Sequence, residues 1–433
     1  HFALTFSISA SAAFQDSTAA ERNQLLADLI AAEIAREGAV TGNTHESQAR
    51  SWGRYLLYLE SIGLGHDVYL DSFTRAQRNR IMCAFAMAMR QARFSGPSYD
   101  KLAEGTIRNS LSDVCSTFRE NGRSNPTKDD DRQLSFILQR LFRAFRNEDP
   151  NEKQQKAVPP NVILAIAQLV HTEEQRAYGQ LSRVGFFFAM RSREYLEVPR
   201  AELGRTKLLL IRNIRFVRNG RNISHDDPAL ELSDCVAITF EMQKKEEKND
   251  TVHHKSSGDL IMCPVRAAAE LVRRILGYPG TDGNTPISAI LVGSKITQVK
   301  SKQMVGVLRD AVQAIGEGVL NIKVDEIGTH SIRSGAAMAM VMGGLPVYMI
   351  MLMGRWSSDA FLRYIRKQIE QFSHDVSTKM IKNMCYRYMP VPTESASNSD
   401  PRQRNNPNNA ETRRNVGGDA TRQARLPAFS LYT

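Results

Sequence analysis

The segment ITFEMQKKEEKNDTVHHKSSGDLIMCPVRA, residues 238–267, decides the fold class of this chain. Leading into it, Val236, Ile238, Phe240 and Met242 alternate with smaller or polar residues, which is the period-two pattern of a half-buried strand. The lysine-rich turn QKKEEKND follows, then a second strand, TVHHKSS, and then the helical pattern CPVRAAAELVRRILG. Because helical patterns fill most of the remaining chain, we predict a mainly α protein with a small antiparallel β-sheet, an α+β fold.

The periodicity of the flanking segments predicts the domain organisation. Residues 1–44 are predicted to be a weakly ordered extension with one helix, AAERNQLLADLIAAEIAREG. Four helical segments with basic outer faces predict a small helical domain at 45–148. A charged, proline-marked linker at 149–160 leads to a larger domain at 161–389. The polar stretch 390–433 has almost no large apolar residues and is predicted to be a disordered tail.

Three further patterns bear on the larger domain. EQRAYGQLSRVGFFFAMRSREYL predicts one continuous helix, and TKLLLIRNIRFV predicts a strand. After CPVRAAAELVRRILG, we predict helices through about residue 388.

Composition limits the function classes. The 433-residue chain has a formal net charge of +11, which favours polyanionic partners, nucleic acid first. Its five cysteines are far apart, which fits neither a disulfide framework nor a zinc site and suits a reducing compartment. No apolar run reaches membrane-spanning length, and the opening HFALTFSISASAAF lacks the basic start of a signal peptide. We expect no membrane partner.

Two arginines lie in sequence contexts where a guanidinium would need a negatively charged partner. Arg191 directly follows the apolar FFFAM, and Glu194 is spaced to pair with it on a helix. In GTHSIRSGAAMAM, His330 and Arg333 are three residues apart at a helix start, where free N–H groups favour anions. Each feature also has a structural reading: the first as an ion pair that holds a helix, the second as core packing.

The remaining candidates lie in the hairpin turn and near residue 360. Lys244, Lys245 and Lys248 form a solvated turn that is also long enough to reach a phosphate. In GRWSSDAFLRYIR, Trp356 precedes a helix-capping serine, and Tyr364 lies two turns into the predicted helix with an arginine beside it.

Taken in chain order, these residues resemble the active site of the tyrosine recombinase family, the phage-integrase type. FFFAMRSREYL, ITFEMQKKEEKNDTVHHKSSGDLIMCPVRA and MGRWSSDAFLRYIR are most similar to the recombinases of Crypton and DIRS mobile elements. The resemblance covers residues 160–388, and it covers 45–148 by architecture only, as the family's helical core-binding domain. The spacing from Trp356 to Tyr364 is eight residues, one fewer than in many members.

The resemblance implies a role for each residue. Tyr364 would attack the DNA phosphate and form a phosphotyrosyl link, so that the reaction needs neither metal nor ATP. The resemblance makes Arg191 and Arg333 the phosphate clamp and Glu194 the residue that orients the arginine. By the same resemblance, Lys244 would protonate the leaving 5′ oxygen, with Lys245 and Lys248 as alternatives. His330 would assist proton transfer, and Trp356 would donate its indole N–H to the phosphate.

The resemblance also implies partners. We expect double-stranded DNA, a homo-tetramer on two duplexes in which residues 366–388 could dock onto a neighbour, no cofactor, and a nuclear location. Two other functions remain open: a domesticated DNA-binding protein without strand transfer, and a type IB topoisomerase.

Overall fold

The structure is a computed structural model that describes residues 18–96, 100–150, 155–243, 248–357 and 362. Several sequence predictions therefore fall outside the described residues: those for Lys244, Lys245, Tyr364, the segment 366–388 and the tail 390–433.

Five helices make up the amino-terminal part. Thr18 and Thr74 cap the first and third helices with reciprocal capping boxes, in which Glu21 and Gln77 reach back to the cap. Aromatic and aliphatic side chains of the second to fifth helices form one hydrophobic cluster, with Tyr55, Phe85 and Phe118 fully buried. The helices are α1 (Ala19–Glu37), α2 (Gly42–Ser61), α3 (Arg75–Arg90), α4 (Glu104–Glu120) and α5 (Phe136–Glu148).

The remainder combines helices with two small sheets around a second hydrophobic cluster. Within it, α7 and α9 pack together, and the fully buried Leu181 and Val184 of α7 and Leu271 and Val272 of α9 belong to that cluster. Its helices are α6 (Pro160–Ala167), α7 (Glu173–Phe187), α8 (Ser192–Tyr195), α9 (Pro264–Leu276), α10 (Ser301–Ile315), α11 (Glu317–Leu320), α12 (Ser331–Met342) and α13 (Val347–Gly354). Its strands are β1 (Ile214–Arg218), β2 (Arg221–Ile223), β3 (Cys235–Met242), β4 (Lys248–Lys255), β5 (Ala289–Val292) and β6 (Lys295–Gln298).

The sheets are antiparallel throughout the described residues. Four strands follow the order β2-β1-β3-β4, and β5 pairs with β6 in a separate hairpin. Ile238 lies opposite Ile214 on one side and Val252 on the other, and all three are buried. This register points the apolar set of β3 into the core, as its alternation predicts. The mainly helical fold with a small antiparallel sheet is confirmed.

Several local predictions were wrong. The long predicted helix ends at Phe187, and only the short α8 follows it, because the chain turns through a left-handed residue at Ala189, with φ +44°. The strand predicted from residue 206 begins only at Ile214, and β2 was missed. The region predicted to be entirely helical after α9 contains the β5–β6 hairpin.

The two hydrophobic clusters are separate, but the described residues fall in a single compact unit. The domain boundaries at 45–148, 149–160 and 161–389 therefore stay predictions. None of the described helices combines the length and apolar character needed to span a membrane.

Candidate functional site

The carboxyl end of α7 brings Arg191 into position. Ala189 has φ +44°, its N–H donates to Phe186 O, and the N–H of Met190 donates to Gly185 O at 2.9 Å. This pattern closes the helix in a Schellman motif, with alanine where glycine is usual. The chain then reverses into an extended Arg191 at the amino-terminal cap of α8.

Helix α13 ends in the same kind of motif as α7. Arg355 is left-handed, with φ +54°, and the N–H of Trp356 donates to Met351 O at 2.9 Å. A Cβ at Gly354 would overlap the six-membered ring of Trp356, so glycine allows the indole to fold back over the helix end. Residues 354–356 therefore form a tightly closed corner.

Arg333 ties these two helix ends together. Its side chain rises from the first turn of α12 and is almost fully buried. Its Nη1 donates to the carbonyl of Ala189 and its Nη2 to the carbonyl of Gly354, at 2.7 Å for the second bond. The guanidinium also lies over the Trp356 ring, 4.5 Å from the ring centroid. Because carbonyls at helix carboxyl ends carry partial negative charge, a buried cation is well placed between them.

Glu194 is the buried anion of the site. Its side chain is 1% exposed, and its two oxygens bind two arginines. Oε1 accepts from Arg191 Nη1 at 2.9 Å, and Oε2 accepts from Arg355 Nη2 at 2.7 Å and from the main-chain N–H of Arg191 at 2.8 Å. The predicted pairing of Arg191 with Glu194 is therefore present, but it closes the short α8 instead of lying along a long helix.

Gln243 connects this group to the β3–β4 hairpin. Its Oε1 accepts from Arg191 Nη1 and from Arg355 Nε, both at 3.2 Å, and its Nε2 donates to Asp250 at 3.0 Å. The amide is fully buried and directly precedes Lys244, which is outside the described residues. The base of the lysine-bearing turn is thus fixed to the arginines.

Arg191, Arg333 and Arg355 meet at the carboxyl end of α7 and form an arginine cluster. Glu194 accepts from Arg191 and from Arg355, and Asp250 is joined to these two arginines only through the amide of Gln243. An anion bound at Arg191 would give these two cations a second direct partner.

Arg191 is the member of the cluster that an anion could reach. Its side chain is 23% exposed, whereas that of Arg355 is fully buried. Its Nη1 holds Glu194 and Gln243, and neither its Nε nor its Nη2 bonds to another residue within the described ranges. The Nε and Nη2 edge of a guanidinium matches two oxygens of a phosphate.

The other candidate residues are placed as follows. His330 is exposed at the amino-terminal cap of α12, where its main-chain N–H donates to Gln155 at 2.9 Å. Lys248 is exposed at the start of β4, opposite Met242. The structure brings together Arg191, Glu194, Arg333 and Trp356, while phosphate binding and catalysis by these residues stay predictions.

Sequence reasoning missed Arg355 and Gln243. For Arg355 a signal was present: it stands nine residues before Tyr364, the spacing that Trp356 misses by one. For Gln243 no signal distinguishes this amide from the other polar residues of the turn.

No cluster of metal-ligating side chains occurs among the residues that the structure describes. A cavity of about 510 Å³ lies beside the β5–β6 hairpin, lined by residues that include Lys295, Lys300 and Glu197. None of its lining residues belongs to the arginine cluster, so the two features are separate.

Comparison with known proteins gives similar structures but no similar sequence. No protein-family model and no curated protein matches the chain. The Tn1549 transposon integrase in complex with transposon right end DNA is 11% identical, covers 83% of this chain and 99% of its own, and has a TM-score of 0.46. The XerH site-specific recombinase bound to difH substrate is 12% identical, with coverages of 71% and 72% and a TM-score of 0.40. For the XerA recombinase, the identity is 12%, the coverages are 78% and 99%, and the TM-score is 0.33.

Proposed function

We propose that this protein is a site-specific DNA recombinase that cuts and rejoins DNA through a tyrosine, with the arginine cluster as its phosphate site. The observation that carries the proposal is the partly exposed guanidinium edge of Arg191, which Glu194 anchors beside the buried Arg355. Distant segments of the chain converge there, and they are the segments that the family resemblance names.

This arrangement suits attack on a phosphodiester. A DNA phosphate is an anion that repels nucleophiles, so phosphoryl transfer depends mostly on positioning and charge stabilisation. Arg191 would bind a nonbridging oxygen pair through Nε and Nη2. Arg333 adds positive charge next to it, because it donates to the carbonyl two residues before Arg191.

The bond changes follow from the proposed nucleophile. The phenolic oxygen of Tyr364 forms a bond to phosphorus, the bond from phosphorus to the 5′ oxygen breaks, and a 5′-hydroxyl leaves. A phenol has a pKa of about 10, so Tyr364 must give up its proton as it attacks, and His330 is the proposed acceptor. Lys244 is proposed to protonate the leaving oxygen. Religation is the reverse, with a 5′-hydroxyl from another strand as the attacking group.

A basic surface on the helical part supports DNA as the substrate. Arg140 and Arg143 are exposed on α5, and neither forms an ion pair with any residue in the described part of the chain. Lysine and arginine side chains that are free to meet phosphates supply most of the sequence-independent affinity for DNA. We further propose assembly as a tetramer on two duplexes and action in the nucleus.

The test is covalent trapping on nicked DNA. The protein is incubated with a pool of duplexes that carry a randomised segment and a nick. Cleavage near the nick releases a short fragment that bears the 5′-hydroxyl. This fragment diffuses away, so that religation fails. The proposal expects a protein–DNA adduct that resists denaturant and is absent in Tyr364→Phe. The matched control is Tyr348→Phe, because Tyr348 is an exposed tyrosine on α13 and should be dispensable.

Two other outcomes would replace this function. Salt-sensitive DNA binding without any adduct would indicate a DNA-binding protein that has lost strand transfer. Relaxation of a supercoiled plasmid by the monomer, without exchange between duplexes, would indicate a type IB topoisomerase.

A further inference from the structure

Arg355 is a buried cation whose hydrogen-bonding nitrogens are all used within the protein. Nε donates to Gln243 at 3.2 Å, Nη1 to the carbonyl of Phe188 at 2.8 Å, and Nη2 to Glu194 at 2.7 Å. The guanidinium also lies over the Phe240 ring, 3.6 Å from its centroid. The side chain is fully buried, so DNA cannot touch it.

Without Arg355, Glu194 would cancel the positive charge of Arg191. A buried carboxylate facing Arg191 alone would form a neutral pair with it, and the charge that attracts a phosphate would be cancelled. With Arg355 on its other oxygen, Glu194 is neutralised from the protein side. Arg191 then stays anchored by Nη1, and the three side chains Arg191, Glu194 and Arg355 together carry one positive charge, with Asp250 reaching them only through the Gln243 amide.

Burial lowers the pKa of Arg355, and Glu194 opposes this effect. A guanidinium nevertheless keeps its proton at neutral pH, so the neutralisation of Glu194 is permanent.

We infer that Arg355 is a positioning residue for the proposed reaction: it neutralises Glu194 and fixes Gln243, and so holds Arg191 with its free edge toward the scissile phosphate. The inference rests on the proposed function. It explains why an arginine occupies a strained left-handed position, since a backbone with φ +54° is unfavourable for a residue other than glycine.

A double-mutant cycle between Arg355 and Arg191 tests the inference. Cleavage rates at saturating protein are measured on the trapping substrate for the wild type, Arg355→Gln, Arg191→Ala and the double variant. If Arg355 acts through Arg191, Arg355→Gln should slow adduct formation by about 10²-fold. This is the typical effect of losing one preorganised donor to the phosphate, in this case Arg191. In the Arg191→Ala background the same change slows it by less than about threefold, because coupled residues are not additive.

Two further readouts separate positioning from a role in stability. The dissociation constant for intact duplex should change by less than about threefold in Arg355→Gln, because only the single phosphate contact of Arg191 is weakened. Adding Glu194→Gln to Arg355→Gln removes the uncompensated carboxylate and should restore about tenfold of the lost rate. A simple loss of folded protein would lower binding and rate together.

The outcomes are distinct. If the wild type forms no adduct, the proposed function fails, and this inference fails with it. If the wild type cleaves and Arg355→Gln cleaves equally fast, or if the two rate effects multiply in the double variant, only the inference is overturned. If Arg355→Gln does not fold, Arg355→Lys takes its place in the cycle. Its ammonium still neutralises Glu194 but cannot also hold Gln243 and the Phe188 carbonyl, so the rate should fall by about tenfold, and by less than about threefold in the Arg191→Ala background. An unchanged rate in Arg355→Lys would overturn the inference.

Discussion

Replacing Arg333 by lysine should detach one of the two helix ends that it joins. The guanidinium bridges the carbonyls of Ala189 and Gly354, and a single ammonium cannot donate to both positions in the same geometry. Loss of one hydrogen bond from a charged donor, leaving a buried carbonyl unpaired, costs about 1.5–3 kcal/mol. Loss of the stacking over Trp356 adds about 0.5–2 kcal/mol. We expect Arg333→Lys to lower the free energy of unfolding by about 3 kcal/mol.

The chain's two tryptophans allow this loss to be measured locally. Trp52 packs with the amino-terminal cluster and Trp356 with the cluster that contains the site. In a Trp52→Phe background, tryptophan fluorescence therefore reports only the environment of Trp356. With a urea m-value of about 3 kcal/mol/M, a loss of this size lowers the midpoint of unfolding by about 1 M.

Arg176→Lys in the same background is the matched control. Arg176 is about half exposed and pairs with Glu173 on the surface of α7, so its replacement should change stability by less than about 0.5 kcal/mol. If Arg333→Lys shifts the midpoint no more than this control does, Arg333 does not carry the bridge between α7 and α13, and the reasoning is refuted.

Three other changes test separate features. Gly335→Ala should lower the free energy of unfolding by about 1–3 kcal/mol, because a Cβ there would overlap the carbonyl of Val158. Its control is Gly306→Ala in α10, where a Cβ meets open space and the change should be neutral or stabilising by up to about 1 kcal/mol. Thermal unfolding compares the two variants, and equal melting temperatures would contradict this prediction. Burial lowers the pKa of His254 to about 4, so the unfolded chain binds more protons between pH 6.5 and 4 and stability must fall by up to about 3 kcal/mol as the pH drops through that window. His254→Phe should remove that part of the pH dependence, and an unchanged difference in unfolding free energy between pH 7 and 4.5 would count against it. Arg140→Glu combined with Arg143→Glu should weaken DNA binding and reduce the salt slope by about 2 in a titration at several salt concentrations, and an unaltered slope would remove α5 from the DNA interface.

The sequence was sufficient for the features that depend on local periodicity. The alternation of Val236, Ile238, Phe240 and Met242 predicted β3, and the helical patterns within 45–148 predicted α2 and α3. It was insufficient where the chain changes direction. Nothing in FFFAMRSREYL marks Ala189 as left-handed, because glycine is the usual residue at such a position.

The candidate site, too, was predictable from the sequence only in part. The residue types at Arg191, Glu194 and Arg333 indicated a cationic site, but the sequence could not say which guanidinium would be buried. Burial depends on long-range contacts, such as those from Arg333 to Ala189 and Gly354, which no pattern along one chain encodes. For the same reason Arg355 looked like an ordinary residue beside Trp356.

Peptide mapping of the trapped adduct shows whether the guanidinium cluster and Tyr364 serve one phosphate. The adduct is digested with nuclease and protease, and the modified peptide is sequenced by mass spectrometry. We expect a nucleotide linked through its 3′ phosphate to Tyr364, and we expect this adduct to form far more slowly in Arg191→Ala. A nucleotide on another residue, or an adduct whose rate does not depend on Arg191, would contradict it.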